Sequence, residues 1–452
     1  MECKISVKAG INMIYVPTDY PTIQEAINSA TEGDTIFVLS GRTYYENLVV
    51  NKTVSLIGEN RETTIIDGNR TKNVIYITVD NASIRGFTIK RSGTFPGNSG
   101  VSLDHSSGSD ISHNIITNNY DGISFYYSSN NMISDNTISS NSYNGVSFYY
   151  SSNNMISGNT IKNNNSGMYL ALYSSNNAIH CNNFNNTCQV WADSTNVWDD
   201  GNEGNYWSDY TRQDLNGDGI GDYPYGIDVN NQDNHPLMGM FSDFSVTLEG
   251  ETYHVTTICN STISDFRFEI GSETGNKIIR FNATGKDGTI GFCRVMIPTE
   301  LMNYPYIVLV GMEEIVPTLL DVSNETHVYR YFTYIHNSYT TTIISSKTSY
   351  LYNELLDKYV KLNATFYDLL GNYSVLLGSY GILLDNYSQL QKSYLELNSS
   401  YQNLLVGYSE NVCNIQNLMY IFAATTAIFI MTTIYLSKHA HAGKTKVFED
   451  KK

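Results

Sequence analysis

Residues 100–190 repeat at an interval of 21 to 23 residues: GVSLDHSSGSDISHNIITNNYD is followed by GISFYYSSNNMISDNTISSNSYN, GVSFYYSSNNMISGNTIKNNNS and GMYLALYSSNNAIHCNNFNNT. A unit this short cannot bury its own apolar face and must lay it against the next unit. Each unit carries short alternating runs broken by Asn, Ser and Gly, residues that supply turns and accept left-handed backbone angles. The Leu-rich consensus and recurrent helix of a leucine-rich repeat are missing, so the repeat predicts a right-handed parallel β-helix.

Aligning the units puts Val101, Ile123, Val146 and Met168 in one inward column and Leu103, Phe125, Phe148 and Leu170 in a second. Ile111, Ile133, Ile156 and Ile179 make a third, and Ile116, Ile138 and Ile161 a fourth. Asn114, Asn136, Asn159 and Asn182 also line up; at a strand spacing of roughly 4.8 Å their amides can hydrogen-bond up the stack. Looser coils precede these, from DTIFVLSG to SIRGFTIK. Before them, YPTIQEAINSA reads as a short amphipathic helix with Ile23, Ala26, Ile27 and Ala30 on one side, placed to cap the open end of the stack.

Beyond the repeats the period is lost. Residues 242–340 hold strand-like runs such as FSVTLEG, YHVTTIC, KIIRFNATG and YIVLVG, which predict a small β-sandwich. Residues 352–414 form nine heptads with Tyr or Phe at every a position and Leu at d from Leu355 through Leu404. That continuous seam favours a self-associating coiled-coil stalk, roughly 95 Å long at about 1.5 Å per residue. Glycosylation at Asn363 and Asn398, both at e, would oppose tight pairing, so the number of strands stays open.

No charged residue occurs from Asn411 to Ser437, and Leu418–Leu436 reads LMYIFAATTAIFIMTTIYL, close to the roughly 20 apolar residues of a membrane-spanning helix. The tail after it has five lysines against two acids, which places the C-terminus in the cytoplasm and everything before the helix outside. Twelve N-x-S/T sequons agree with that side. The first twenty residues contain no apolar run of signal-peptide length, so this topology asks for an apolar segment upstream. The expected domains are a β-helix over 1–240, a β-sandwich-like domain over 241–345, a stalk over 346–415, a transmembrane helix over 416–437 and a cytoplasmic tail over 438–452.

A formal charge of −17 with no Lys/Arg cluster before the tail excludes nucleic acid as a partner. Among six cysteines, Cys181 with Cys188, and Cys259 with Cys293, can pair in an oxidising compartment or remain thiols.

The string YPTIQEAINSATEGDTIFVLSGRTYYENLVVNKTVSLIGEN, with the repeats and the closing GNYWSDYTRQDLNGDGIGDYPY, resembles archaeal surface members of the NosD-like β-helix family over about residues 15–240. That resemblance implies the β-helix of a wider class of carbohydrate-binding and sugar-hydrolase proteins. The family's name comes from a periplasmic copper protein, but the nine histidines are dispersed and no Cys/His/Met cluster of ligand-like spacing occurs. The capping segment also resembles pectin methylesterases, whose paired-aspartate patterns are missing here. No carboxylate pair of the glycoside-hydrolase kind recurs at one offset in the coils, although adjacent coils can still bring two together.

Two sets of residues stand out as sites. In DLNGDGIGD, Asp214, Asn216, Asp218 and Asp222 have the spacing of a calcium loop with the carbonyl of Ile220 between them, and Asp228 and Asp233 are available to complete the shell. Tyr225 replaces the usual bidentate Glu, so the loop is expected to bind Ca2+ weakly or to be a metal-free acidic turn. On the outward face, alternation places Tyr126 over Tyr149, flanked by Ser124 and Ser147, with Asp104 and Ala171 in the same column. Such a column suits sugar rings or serves only to pair adjacent coils. Together these features predict a non-enzymatic, membrane-anchored surface protein binding polysaccharide or another envelope component. The rivals are a tethered polysaccharide lyase or hydrolase, and a purely structural envelope protein.

Overall fold

The computed structural model describes residues 12–303, 305–336, 339–345, 347–385 and 397–408, with positions at 414–415, 418–419 and 425. The first half of the chain climbs a right-handed-type parallel β-solenoid of about eight turns, in three sheets of eight, seven and eight strands. The first sheet runs from Met13–Val16 to Ala178–His180, the second from Leu48–Val50 to Cys188–Ala192, and the third from Arg42–Tyr44 to Tyr206–Trp207.

All four apolar columns read from the repeat occur in register. Val101, Ile123, Val146 and Met168 pair in turn, as do Leu103, Phe125, Phe148 and Leu170. The isoleucine columns do the same in the first and third sheets. Every one of these side chains is fully buried, and each contributes about 1.5–3 kcal/mol of transfer free energy. Phe125 and Phe148 stack with centroids 4.5 Å apart, the spacing of neighbouring strands.

The corners between sheets are held by buried amides. Asn114, Asn136, Asn159 and Asn182 form the expected ladder, each Nδ2 donating to the next Oδ1 at 3.0–3.2 Å. It continues to Asn205 at 3.0 Å. Two further ladders go beyond the sequence expectation: Asn119, Asn141, Asn164 and Asn186, and Asn131, Asn154, Asn177 and Asn196. Each amide also serves main chain of other coils: Asn136 Oδ1 accepts from Asn114 N–H at 2.9 Å, and its Nδ2 donates to the Ile111 carbonyl at 2.7 Å. The residue before each of these ladder positions commonly has φ near +57°, as at Asp135, Ser140 and Asn153. At Gly122, which opens a coil, a Cβ would lie 2.4 Å from the Gly145 carbonyl oxygen, so the close approach of coils requires glycine there.

The helix Ile23–Ser29 buries Ile23, Ala26 and Ile27 in the solenoid core. Thr22 caps it by accepting from Glu25 N–H at 3.1 Å, and Glu46 accepts from the N–H groups of Ile23 and Gln24. At the other end Trp207 stacks between Phe184 and Tyr225, with centroids 4.5 and 4.4 Å away.

Two five-stranded antiparallel sheets come after the solenoid. The first contains Met240–Leu248, Glu251–Cys259, Ile290–Pro298, His327–Ile335 and Thr318–Leu319; the second contains Thr262–Ile270, Lys277–Thr284, Tyr339–Ser345, Tyr306–Val310 and Glu313–Ile315. The chain divides into two compact units: the solenoid and the first antiparallel sheet belong to one, the second sheet and the helix after it to the other. Within the first unit, Asn183 exchanges two 2.8 Å hydrogen bonds with the main chain of Phe241, and the buried Arg294 contacts Glu203 at 2.9 Å.

The helix Lys347–Asp385 covers the first heptads. Where its side chains are described, the seam is exposed in the single chain: Tyr359, Phe366 and Tyr373 at a, and Leu362, Leu369 and Leu376 at d. The expected transmembrane stretch and cytoplasmic tail fall almost wholly outside the described residues. Among the described residues no helix is long and apolar enough to cross a membrane.

The ladders generate a stability prediction. Asn136→Ala strands the Asn114 N–H and the Ile111 carbonyl in the interior, and should destabilise the protein by about 2–5 kcal/mol. Lys162→Ala, at an exposed position, should change stability by less than about 0.5 kcal/mol. Urea unfolding of both variants checks this; equal effects would remove the ladder's structural role.

Candidate functional site: an aromatic face and an acidic cleft

The seven strands of the second sheet contain no Lys or Arg, and their outward columns carry Tyr76, Tyr126, Tyr149, Tyr169 and Trp191 together with Ser102, Ser124, Asp104, Ala171 and the exposed Val49. Tyr126 and Tyr149 are register partners, with Asp104 and Ala171 on either side. Their rings nevertheless turn to different neighbours. Tyr126, 44 % exposed, sits edge-on to Tyr127 with centroids 4.7 Å apart, whereas the half-buried Tyr149 tilts toward Tyr169 at 6.0 Å. Ser124 is half-buried. Ser147 is completely buried, with Oγ 3.5 Å from Asp121 Oδ2, so it cannot meet a ligand and the expected pair of flanking serines is reduced to one.

Strand alternation does not reach the second tyrosine of each FYYSS motif. Tyr127 and Tyr150 lie just past the strand with φ of +47° and +53°, where side chains no longer alternate. Their rings stack at 4.6 Å and 4°, and His105 extends the stack at 5.0 Å. Tyr169 stacks on Trp191 at 4.7 Å, and Tyr120 on Tyr143 at 5.6 Å. Stacking along the solenoid covers ring faces and leaves edges and hydroxyls outward.

Asp121 lies beside these rings, 4 % exposed. Its Oδ1 accepts from Asn144 N–H at 2.9 Å, yet burial outweighs that bond and pushes its pKa up to about 6. Burial also raises the Tyr149 phenol to about 12, with the Asp121 carboxylate adding to the shift.

In the acidic loop the carboxylates are tied to loop amides. Asp214 accepts from the N–H groups of Gly217 and Gly219 at 2.7 and 2.8 Å, and Asp218 from Ile220 N–H at 2.8 Å. Asn216 Nδ2 reaches Asp218 at 3.2 Å, and Asp222 accepts from Leu215 N–H. Ile220 is buried. The two aspartates expected to complete a shell are committed elsewhere. Asp233 accepts from Asn205 N–H and Trp207 Nε1 at 2.7 and 2.8 Å, and Asp228 from Asn231 Nδ2 at 2.8 Å.

A cleft of about 220 Å³ lies between the solenoid and the strand Met240–Leu248, lined by Arg61, His113, Asp135, Thr137, Thr160, Asp243 and others. Two His–Asp pairs meet there: His113 Nε2 is 3.8 Å from Asp135 Oδ2, and His254 Nδ1 is 2.9 Å from Asp243 Oδ2. Burial raises the Asp135 pKa; His113 opposes the shift, and Asp243 and Asp110 add to it. Gly158 makes room for this carboxylate, since a Cβ there would lie 2.4 Å from Asp135 Oδ1. Asp135 and Asp243 are far apart in sequence, and no motif joins them.

Asp121 sets a pH dependence. Its folded-state pKa of about 6 lies above the ordinary 3.8, so the native state holds the proton more tightly. That contribution is full below about pH 4 and is lost as pH rises through 6, by about 2–3 kcal/mol. Asp233, raised to about 6 by burial, adds a second such slope. Asp121→Asn should therefore gain thermal stability relative to wild type between pH 4 and 7, read from unfolding midpoints across that range. A difference that does not change with pH would contradict the burial of a titrating Asp121.

Residues 12–212 match the family model described as periplasmic copper-binding protein (NosD). Among solved structures the chain is similar to an alginate lyase from Paenibacillus sp. str. FPU-7, with 15 % identity over 44 % of this chain and 77 % of that one and a TM-score of 0.27. It is similar to pectin methylesterase PemA from Erwinia chrysanthemi, with 14 % identity over 55 % and 86 % and a TM-score of 0.30. A third is the enzymatically active domain of bacteriophage CBA120 tailspike protein 2, with 11 % identity over 71 % and 76 % and a TM-score of 0.25. Likenesses at this level carry nothing about activity, and no curated protein matches the chain. Among the described residues no three His, Cys, Asp or Glu are gathered as a metal ion requires, and His105, His113, His235 and His254 each face an aspartate. The residues that match the NosD family model, 12–212, are those that fold as the parallel β-helix.

Proposed function

We propose that this protein is a non-enzymatic surface receptor whose β-helix binds a polysaccharide along the outer face of the second sheet. The observation that carries this reading is a face of aromatic edges and hydroxyls running over successive coils with no cationic side chain in its strands. Tyr126, Tyr127, Tyr150 and Ser124 are its exposed or half-buried members. Aromatic bodies with polar tips suit sugar rings, which have apolar faces and hydroxyl rims. With Asp104 on this side and a net charge of −17, an acidic polymer would be repelled, so the ligand is an uncharged glycan.

The apolar stretch 418–436 anchors the protein in a membrane with the β-helix outside, and the exposed heptad seam pairs with other copies as a stalk. The acidic loop binds Ca2+ through Asp214, Asn216, Asp218, Asp222 and the Ile220 carbonyl once its aspartates release the loop amides. A second reading, a tethered glycoside hydrolase, draws on the cleft, where Asp135 has a raised pKa beside Asp243. An envelope protein that binds another protein, or none, is the outcome if no glycan binds.

Co-sedimentation of the full chain in mild detergent with insoluble neutral and acidic polysaccharides tests the receptor reading. Neutral polymers should be bound and acidic ones not, and Tyr126→Ala with Tyr127→Ala should weaken binding about tenfold, the equivalent of about 1.4 kcal/mol. Release of sugar that disappears in Asp135→Asn would replace the receptor with the hydrolase. For the loop, Ca2+ should raise the unfolding midpoint over a chelator control, and Asp214→Asn with Asp218→Asn should abolish that increment; no increment in wild type would leave the loop an acidic turn.

A further inference from the structure

The strands Glu251–Cys259 and Ile290–Pro298 pair antiparallel in a register that sets Cys259 directly opposite Cys293. Residues so opposed have Cα atoms about 4.5 or 5.5 Å apart and side chains on the same face. Both separations lie within the span of about 4.4–6.8 Å that a disulfide bridges. The two side chains are 1 % and 0 % exposed and are thiols in this structure. Cys181 and Cys188 have no such relation: Cys181 is buried with Sγ 4.0 Å from Glu203 Oε2, and Cys188 is exposed with Sγ 3.7 Å from the Val190 carbonyl.

The surroundings of the pair are unequal. Cys259 Sγ lies 3.3 Å from the Tyr334 hydroxyl and 3.4 Å from Ser261 N–H, and Ser261 Oγ contacts the same hydroxyl at 2.6 Å. The hydrogen bond from Cys293 comes first among the causes that hold the Cys259 thiol below its ordinary range, and Tyr334 and Ser261 add to it against burial. Cys293 is pushed well up by its bond to Cys259 and by burial.

We infer that Cys259 and Cys293 are a paired modification site, closing as a cross-strand disulfide that staples the first antiparallel sheet when the chain folds in an oxidising compartment. The oxidant is a disulfide, either a small-molecule disulfide or that of an oxidoreductase. While the chain folds, one of the two thiols, having lost its proton, attacks one sulfur of the oxidant; that S–S bond breaks and the departing thiolate takes up a proton. The other thiol, opposite it in the sheet, then loses its proton and attacks the sulfur so modified, expelling the second thiol of the oxidant. Two protein thiols are oxidised and one disulfide is reduced to two thiols. This inference does not depend on the glycan-binding reading.

The test is refolding of the reduced full chain in a buffer of reduced and oxidised glutathione, alkylation of remaining thiols in denaturant, and peptide mapping of the refolded fraction. The expected map links Cys259 to Cys293, with a mass about 2 Da below the sum of the two thiol peptides, and leaves Cys181 and Cys188 alkylated. Both cysteines recovered alkylated from refolded protein, or either one linked elsewhere, would overturn the pairing. In Cys259→Ser and in Cys293→Ser the remaining member should be recovered alkylated or as a glutathione adduct; its linkage to Cys181 or Cys188 would overturn the pairing, and if either variant fails to refold the wild-type map alone decides it.

Discussion

Each coil of the solenoid changes direction at corners inside a packed stack, and a corner breaks the strand ladder that would otherwise satisfy the main chain. Buried asparagines restore what is lost. An amide has an acceptor and two donors, so one Asn can take a main-chain N–H from one coil, give to a carbonyl of another and still bond to the next Asn. Asn136 does all three. The consequence is mutual dependence: the polar groups of any coil are satisfied only while its neighbours are present, which makes the stack a cooperative unit.

Because the ladders demand like residues at like positions, whatever lies between them also repeats along the stack. Inside, this gives columns of Ile, Val and Phe. Outside, it brings aromatic rings to strand spacing, as with Tyr127 on Tyr150 and Tyr169 on Trp191. A stacked ring spends its faces on its neighbours, so the surface presented to solvent is one of edges and hydroxyls. Tyr126 escapes this because its ring stands nearly perpendicular to the Tyr127–Tyr150 stack. The same repetition makes a single carboxylate conspicuous. Asp121 occupies a buried position where the next coil has Asn144, and burial without a cation keeps its proton on to higher pH.

Chemistry that needs unlike groups must come from outside the repeat. The acidic cleft shows how: the solenoid supplies His113 and Asp135, and the strand Met240–Leu248 supplies Asp243. The Asn183–Phe241 exchange holds that strand against the coils, with the buried Arg294–Glu203 pair elsewhere in the same unit. Such a pair adds little net stability but cannot lose one partner cheaply, which makes it a locator of the first antiparallel sheet on the coils.

The repeat carried its own architecture because period, column identity and one Asn ladder are local properties of aligned units. Two further ladders are not legible in this way: Asn119 and Asn131 sit in Asn- and Ser-rich turns where several amides compete, and only the path of the backbone selects which one points inward. The Tyr126–Tyr149 register was legible from strand alternation, but the burial of Ser147 and the divergence of the two rings were not, since both depend on what neighbouring coils place over them. The positive φ at Tyr127 and Tyr150 moved their rings out of the alternating pattern altogether. What the sequence by itself determined is therefore the stack, its period and its inward columns, all set by nearest-neighbour packing. Only the tertiary structure decided which amides close the corners, that Asp135 and Asp243 share a cleft, and that Cys259 faces Cys293, because each of these joins residues whose proximity is created by the folded path of the chain and by no pattern along it.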